Sequence, residues 1–273
     1  MSTIGKKLLQ DPDPTPPAPL RTACSARSPC EGSSESVSNL SVAVLAGGLG
    51  TRLRSVLADC PKILAPVNGK PFLAYLLEHL ADQGLRGVTL CVGYRSEQVE
   101  AVFGRSYAGL RVAYSCEPAP RGTAGAVRLA LPMLESDPVL VMNGDSFCRP
   151  DLSSLFRWHA ARKAAATLLL TRVPDTRRYG RVQVDDGGLI RAFEEKGGHD
   201  GPGWINAGVY LLSRQLLAEI PEQAAVSLER DLFPAWLGRG LCGCPSETPF
   251  LDIGTPASYA AAEAFLSAER KAS

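Results

Sequence analysis

The chain has 273 residues, 45% hydrophobic and 21% charged, enough to bury the core of one large α/β domain or two small ones. Its formal net charge is +1, which excludes binding of nucleic acid or another polyanion by bulk charge, so any phosphate site must be local. No apolar run reaches the ~20 residues of a membrane helix, and no apolar segment follows Lys6 and Lys7 as in a secretory signal, so a cytoplasmic protein with reduced thiols is expected.

Residues 1–40 carry "DPDPTPPAPL" and "SARSPCEGSSESVSN". Neither has a hydrophobic period, and the segment reads as a disordered extension of the kind that cannot bury a core. From Ser41, strand-like and helix-like segments alternate. "SVAVLA" is a β-branched strand. "PFLAYLLEHLADQG" is a helix that opens at Pro71, puts Phe72, Leu73, Leu76, Leu77 and Leu80 on one face, and ends at Gly84. "GVTLCVG" is a strand, "SEQVEAVFG" a helix and "RVAYS" a strand. "TAGAVRLALPML" is a helix with Thr123 as its N-cap, and "PVLVMNGD" is a strand ending in a polar turn. This alternation predicts a three-layer α/β/α sandwich of Rossmann-like type around a mostly parallel sheet.

Beyond residue 150 the pattern is mixed. "DLSSLFRWHAARKA" is helical and "ATLLLTRV" a strand. "GRVQVDDGGLIRAFEE" is a hairpin turning at Asp185–Gly188. "GWINAGVYLLS" is a strand, "SLERDLFPAWLG" a helix, "FLDIG" a short strand and "PASYAAAEAFLSAER" a closing helix. The fold is expected to run over residues 41–268, with one half at about 41–150 and the other at about 151–268. The eight cysteines form no Cys-x-x-Cys pair. Cys242 and Cys244 share a strand face by spacing but have no further ligands nearby, so the cysteines read as core or surface residues. His79, His159 and His199 belong to no motif and are expected on surfaces or helix faces.

The stretch "VAVLAGGLGTRLRSVLADCPK" puts glycines straight after the first strand and cations beside them. In open α/β sheets, ligands bind beyond the carboxyl ends of the strands. Backbone N–H groups there can cradle an anion, with Arg52, Arg54 and Lys62 to neutralise it. A dinucleotide loop fails because Leu53 stands where glycine or alanine is needed and no acid follows at the right distance. No Walker-type phosphate loop is present either.

"LAGGLGTRL" followed by "PKILAPVNGKP" resembles the signature of the sugar-1-phosphate nucleotidyltransferases. The resemblance continues through "VGY", "PRGTAGA", "NGDSF", "YGRV", "EEK", "NAGVY" and "FLDIGTP". Within the family, "KPFLAYLL", "SLERDLFP" and "DIGTPASY" are most similar to the D-glycero-α-D-manno-heptose 1-phosphate guanylyltransferases. The resemblance implies transfer of a nucleoside monophosphate from a triphosphate to a sugar 1-phosphate, with GTP and a heptose 1-phosphate as the nearest pair. Other pairings within the family stand as alternatives. A catalytically inactive homologue should lack Arg52, Lys62 or a metal carboxylate, and all of these are present.

The nucleophile in such a reaction is already an anion. Positioning and electrostatics therefore carry the chemistry. The resemblance places Leu45, Ala46, Gly47, Gly48, Gly50, Thr51 and Arg52 under the nucleotide, with Arg52 on the departing pyrophosphate and Lys62 on the reacting phosphates. It implies Mg²⁺ on Asp145 and Asp252, oxygen donors of the kind that ion takes. Gly122, in a base pocket walled by residues 120–125, lets the base approach closely. Arg121 stands where the family commonly has leucine and is expected in solvent. Gly180, Glu195, Lys196 and Asn206 make up the sugar side. Strand alternation sends Glu194 to the opposite face. The partners implied are a nucleoside triphosphate and a sugar 1-phosphate, with no nucleic acid and no membrane; homo-oligomerisation stays open.

Overall fold

The computed structural model describes residues 37–48, 50, 53, 57, 60–197 and 201–271. Residues 1–36, Thr51, Arg52, Arg54 and His199 lie outside the described residues. In chain order the elements are β1 (Val42–Leu45), the small hairpin β2 (Pro66–Val67) and β3 (Lys70–Pro71), α1 (Phe72–Asp82), β4 (Gly87–Val92) and α2 (Ser96–Phe103). Next come β5 (Ser106–Tyr107), β6 (Leu110–Cys116), α3 (Gly122–Ala130), β7 (Val139–Asn143), β8 (Ser146–Phe147), α4 (Leu152–Arg162) and β9 (Ala166–Val173). The remainder holds β10 (Arg181–Val184), β11 (Ile190–Glu194), β12 (Gly203–Leu212), α5 (Arg214–Ala218), α6 (Phe233–Ala235), β13 (Leu241–Ser246), β14 (Leu251–Asp252), α7 (Pro256–Ala260) and α8 (Ala262–Lys271).

Eight strands form one sheet in the order β13-β9-β12-β7-β1-β4-β6-β5. β1 lies parallel between β4 and β7, and β6 is parallel to β4. β12 is antiparallel to both β7 and β9. Alternation along the strands divides the core. Val42, Val44, Val88, Leu90, Leu140 and Met142 point to one face, where α1, α2 and α4 cover them. Ala43, Cys91, Val139, Val141, Leu168 and Tyr210 point to the other, under α3, α5 and the 228–236 segment. The three-layer architecture follows from that division.

The apolar face read from the α1 sequence is buried as expected: Phe72, Leu73, Leu76, Leu77 and Leu80 are at most 1% exposed. Pro71 caps the helix and Gly84 follows it with φ +80°, which glycine tolerates. Burying one such leucine stabilises the fold by roughly 2 kcal/mol.

Several expectations need correction. The ordered chain begins before Ser41, because a 3-10 turn at Val37–Asn39 packs against α4 and buries Val37 and Leu40 in the core. Thr123 is not an N-cap: α3 starts at Gly122 behind Arg121, and the Thr123 hydroxyl is engaged elsewhere. The "SLERDLFPAWLG" segment is a π-helical turn, Leu228–Leu232, followed by the single turn of α6, which Pro234 opens. The closing helix breaks at Ala261 into α7 and α8. His79 and His159 sit on helices but face inward, at 3% and 6% exposure. Among the described cysteines, Cys91, Cys148, Cys242 and Cys244 are buried and Cys116 is exposed.

Candidate active site

Strand pairing assembles the site. β1 and β7 run in parallel with Leu45 opposite Asn143, so the glycine loop after β1 and the Asn143–Asp145 turn leave the sheet side by side. The Gly144 N–H donates to the Leu45 carbonyl at 2.9 Å and joins the two exits. β12 approaches from the opposite direction, with Val209 opposite Met142, so Asn206 lies just beyond the carboxyl end of β7. A register shift between Asn206 and Tyr210 interrupts its pairing with β9, as a bulge does beside a functional site. β14 pairs antiparallel with β8, putting Asp252 opposite Ser146, and the Ile253 N–H donates to the Asp145 carbonyl at 3.1 Å. Two carboxylates far apart in the chain thus share one end of the sheet.

Two cavities meet there. The smaller, about 360 Å³, is lined by Leu45, Ala46, Gly47, Gly48, Glu117 and the Pro120–Thr123 wall. The larger, about 1140 Å³, is lined by Gly48, Gly50, Gly180, Glu194, Glu195, Lys196, Asn206 and Asp252. Gly48, Lys62, Asn143, Asp145 and Glu229 line both, so they form the junction. Of the site residues named from the sequence, Thr51, Arg52 and Arg54 fall outside the described residues. Glu194 departs from its expected place: β11 ends at Glu194, alternation stops there, and it lines the same cleft as Glu195 and Lys196.

At the junction Lys62 Nζ donates to Asp145 Oδ2 at 2.7 Å, with the lysine side chain 13% exposed. A charge-assisted contact of that length is strong and directional. Asp252 Oδ2 accepts from Tyr179 Oη at 2.9 Å and from Arg178 Nη2 at 3.2 Å, while its Oδ1 accepts from the Gly254 N–H at 2.7 Å. Burial and the Asp252 carboxylate push the Tyr179 phenol up to about 12, so it stays protonated and donating at neutral pH. Both aspartates are thus negative groups already compensated by protein cations and donors. Among the described residues no group of three or more His, Cys, Asp or Glu side chains is arranged to hold a metal. A divalent ion would have Asp145 and Asp252 and would take its other oxygens from substrate or water, which suits Mg²⁺.

The glycines at the site answer to the protein itself. Gly122 has φ +70°, and a Cβ there would meet the Val226 carbonyl oxygen at 2.4 Å. That carbonyl accepts from the Ala124 N–H at 2.9 Å, so Gly122 lets the first turn of α3 dock on the 224–226 segment. A Cβ at Gly180, φ +74°, would meet the Glu194 carbonyl at 2.7 Å. Arg121 is held rather than free in solvent: it is half-buried, and its guanidinium donates to the Glu222 carbonyl, just ahead of that segment.

Sequence reasoning missed Glu117 and Glu229. Glu117 follows the last residue of β6; its Oε2 accepts from the Arg121 N–H at 2.8 Å, and its Oε1 lies 2.6 Å from where a Gly47 Cβ would be. Burial raises its pKa, with Arg121 opposing. Its signal was an acid set between a strand and a glycine-rich helix start. Glu229 stood in "SLERD" among other charges, and only its contacts single it out.

The chain matches the nucleotidyl transferase family over residues 41–269. It is 39% identical over 221 residues to the D-glycero-α-D-manno-heptose 1-phosphate guanylyltransferase of Aneurinibacillus thermoaerophilus, covering 81% of this chain and 95% of that protein. It is 38% identical over 220 residues to the mannose-1-phosphate guanylyltransferase of Mycobacterium tuberculosis, covering 79% of this chain and 61% of that protein. The crystal structure of HddC from Yersinia pseudotuberculosis superposes with a TM-score of 0.75 at 32% identity, over 83% of this chain and 99% of that one. The complex of HddC with GMP-PN gives a TM-score of 0.74. With glycine loop, junction lysine and paired strand-end aspartates assembled at one end of the sheet, the chain belongs to the nucleotidyl transferase family and is a nucleotidyltransferase.

Proposed function

We propose that the protein transfers GMP from GTP to D-glycero-α-D-manno-heptose 1-phosphate, releasing pyrophosphate and forming GDP-heptose. The observation that carries this reading is the junction: a nucleoside-sized pocket and a larger cleft share Lys62 and Asp145. A phosphate bound in each would meet where the lysine stands. The sugar and base follow from the relatives, since the heptose enzyme is matched over 95% of its length and the mannose enzyme over 61%. Glu117 supports the base assignment. A carboxylate only accepts, and guanine presents adjacent N–H donors where uracil and thymine flank a single donor with carbonyls.

In this reading the glycine loop's backbone N–H groups hold the triphosphate, and the Arg52 charge neutralises the departing pyrophosphate. Lys62 leaves Asp145 to neutralise the attacked phosphate. Asn206 and Glu195 orient the sugar hydroxyls, and Lys196 holds the sugar phosphate for in-line attack. Mg²⁺ held by Asp145 and Asp252 would supply charge neutralisation between the two phosphates when bound. The proposed setting for the reaction is the cytoplasm. Among the described residues no helix is long and apolar enough to cross a membrane.

The test is pyrophosphate release with a panel of triphosphates crossed with sugar 1-phosphates. GTP with the heptose phosphate should give the highest kcat/KM. Product from another pair but none from this one would overturn the specificity and keep the family.

A further inference from the structure

Glu229 sits on the turn Leu228–Leu232 and lines both cavities. Its carboxylate accepts three hydroxyls: Tyr210 Oη donates to Oε1 at 3.2 Å, while Thr123 Oγ1 and Ser227 Oγ donate to Oε2 at 2.7 and 2.9 Å. Each hydroxyl also accepts. Thr123 Oγ1 takes the Leu228 N–H at 2.8 Å, Ser227 Oγ takes the Arg230 N–H at 3.2 Å, and Tyr210 Oη takes Asn206 Nδ2 at 3.0 Å.

The directions of these bonds are forced. A hydroxyl has one hydrogen, and here an N–H group occupies a lone pair on each oxygen. The hydrogen of each is left to Glu229, which as a carboxylate can only accept. Tyr210 is 0% exposed, and burial with the Glu229 charge holds its phenol well above the ordinary range, so it keeps its hydrogen. Its oxygen then faces the Asn206 amide nitrogen, and Asn206 Oδ1 takes the Gly208 N–H at 2.8 Å. The amide cannot flip without breaking both contacts. One N–H and one lone pair remain for a ligand.

We infer that Glu229 is a positioning residue that couples the two halves of the site. Through Tyr210 it sets the orientation of Asn206 in the larger cleft, and through Thr123 it fixes the wall of the smaller pocket. The inference rests on reading the larger cleft as the sugar site and the smaller as the nucleotide site.

The experiment measures kcat and both KM values, with thermal melting, for Glu229→Gln, Tyr210→Phe, Thr123→Val, Asn206→Ala and the Glu229→Gln/Asn206→Ala double variant, using the best substrate pair of the panel. Glutamine puts an amide N–H against oxygens that need an acceptor, so Glu229→Gln should raise both KM values about tenfold, the effect of a lost bond to a charged acceptor. Tyr210→Phe should raise only the sugar phosphate KM, and Thr123→Val only the triphosphate KM. The double variant should fall well short of the product of the single effects. A merely structural role would lower the melting temperature and leave both KM values in place, which would overturn the inference. If Asn206→Ala raises the sugar KM while Glu229→Gln and Tyr210→Phe do not, the coupling fails and the sugar reading stands. If Asn206→Ala leaves that KM unchanged, reading and inference fall together. Should Glu229→Gln not fold, the selectivity of Tyr210→Phe and Thr123→Val decides: selective shifts support the coupling, and unselective or absent ones overturn it.

Discussion

At the scale of single residues, the site is a set of charges already matched to one another. Lys62 lies 2.7 Å from Asp145, so neither is an isolated charge before substrate arrives. Asp145→Asn keeps the shape and removes the charge. It should lower kcat by at least ~10²-fold, as loss of a transition-state electrostatic group does, with an unchanged circular dichroism spectrum; near-normal turnover would sink the assignment of Asp145. In the proposed reading Glu117 faces the base. Glu117→Gln replaces one acceptor by a donor and should lower kcat/KM for GTP about tenfold while raising the relative rate with UTP or TTP, the scale of one mismatched base-edge contact. Equal losses for every triphosphate would remove Glu117 from base selection.

At the scale of elements, helix starts and helix interiors carry the constraints. The first turn of α3 meets the 224–226 segment at Gly122, where a Cβ would lie 2.4 Å from the Val226 carbonyl oxygen at φ +70°. Gly122→Ala should cost about 1–3 kcal/mol through backbone strain and displacement, read as a lowered melting temperature. Gly48→Ala, whose added methyl meets nothing within 4 Å, should leave that temperature unchanged. Inside α1, burial and the nearby Arg149 lower the His79 pKa from 6.5 to about 4. The unfolded chain takes up this proton at higher pH than the folded one. The contribution of neutral His79 is therefore fully present above about pH 6.5 and is lost as pH falls toward about 4, by up to ~3 kcal/mol. Urea midpoints measured across that window should fall with pH, and His79→Leu should flatten the slope.

At the scale of the whole molecule, the fold does not depend on the proposed Mg²⁺. Asp145 is paired with Lys62, and Asp252 with Tyr179 and Arg178, so the fold contains its own compensation for both carboxylates. Chelation with EDTA should abolish turnover, Mg²⁺ should restore it, and the melting temperature of the free protein should not move; a fall in melting temperature on chelation would make the ion structural. What sequence alone determined was the alternating β/α order, the buried face of α1, the place of a glycine-rich stretch directly after β1 and the motifs that resemble a nucleotidyltransferase. These depend on local period, turn chemistry and short ordered patterns, which are printed in contiguous residues. Other features were decided only in three dimensions. The break at Ala261, the bulge that sets Asn206, the inward turn of His79 and His159, Glu194 in the cleft and the Glu229 network all depend on what packs opposite. The meeting of Asp145 with Asp252 depends on β14 pairing with β8, a contact between distant segments that no local period records. Hydrogen bonds are made between whichever groups the fold brings within about 3 Å of one another, and that proximity belongs to the tertiary structure.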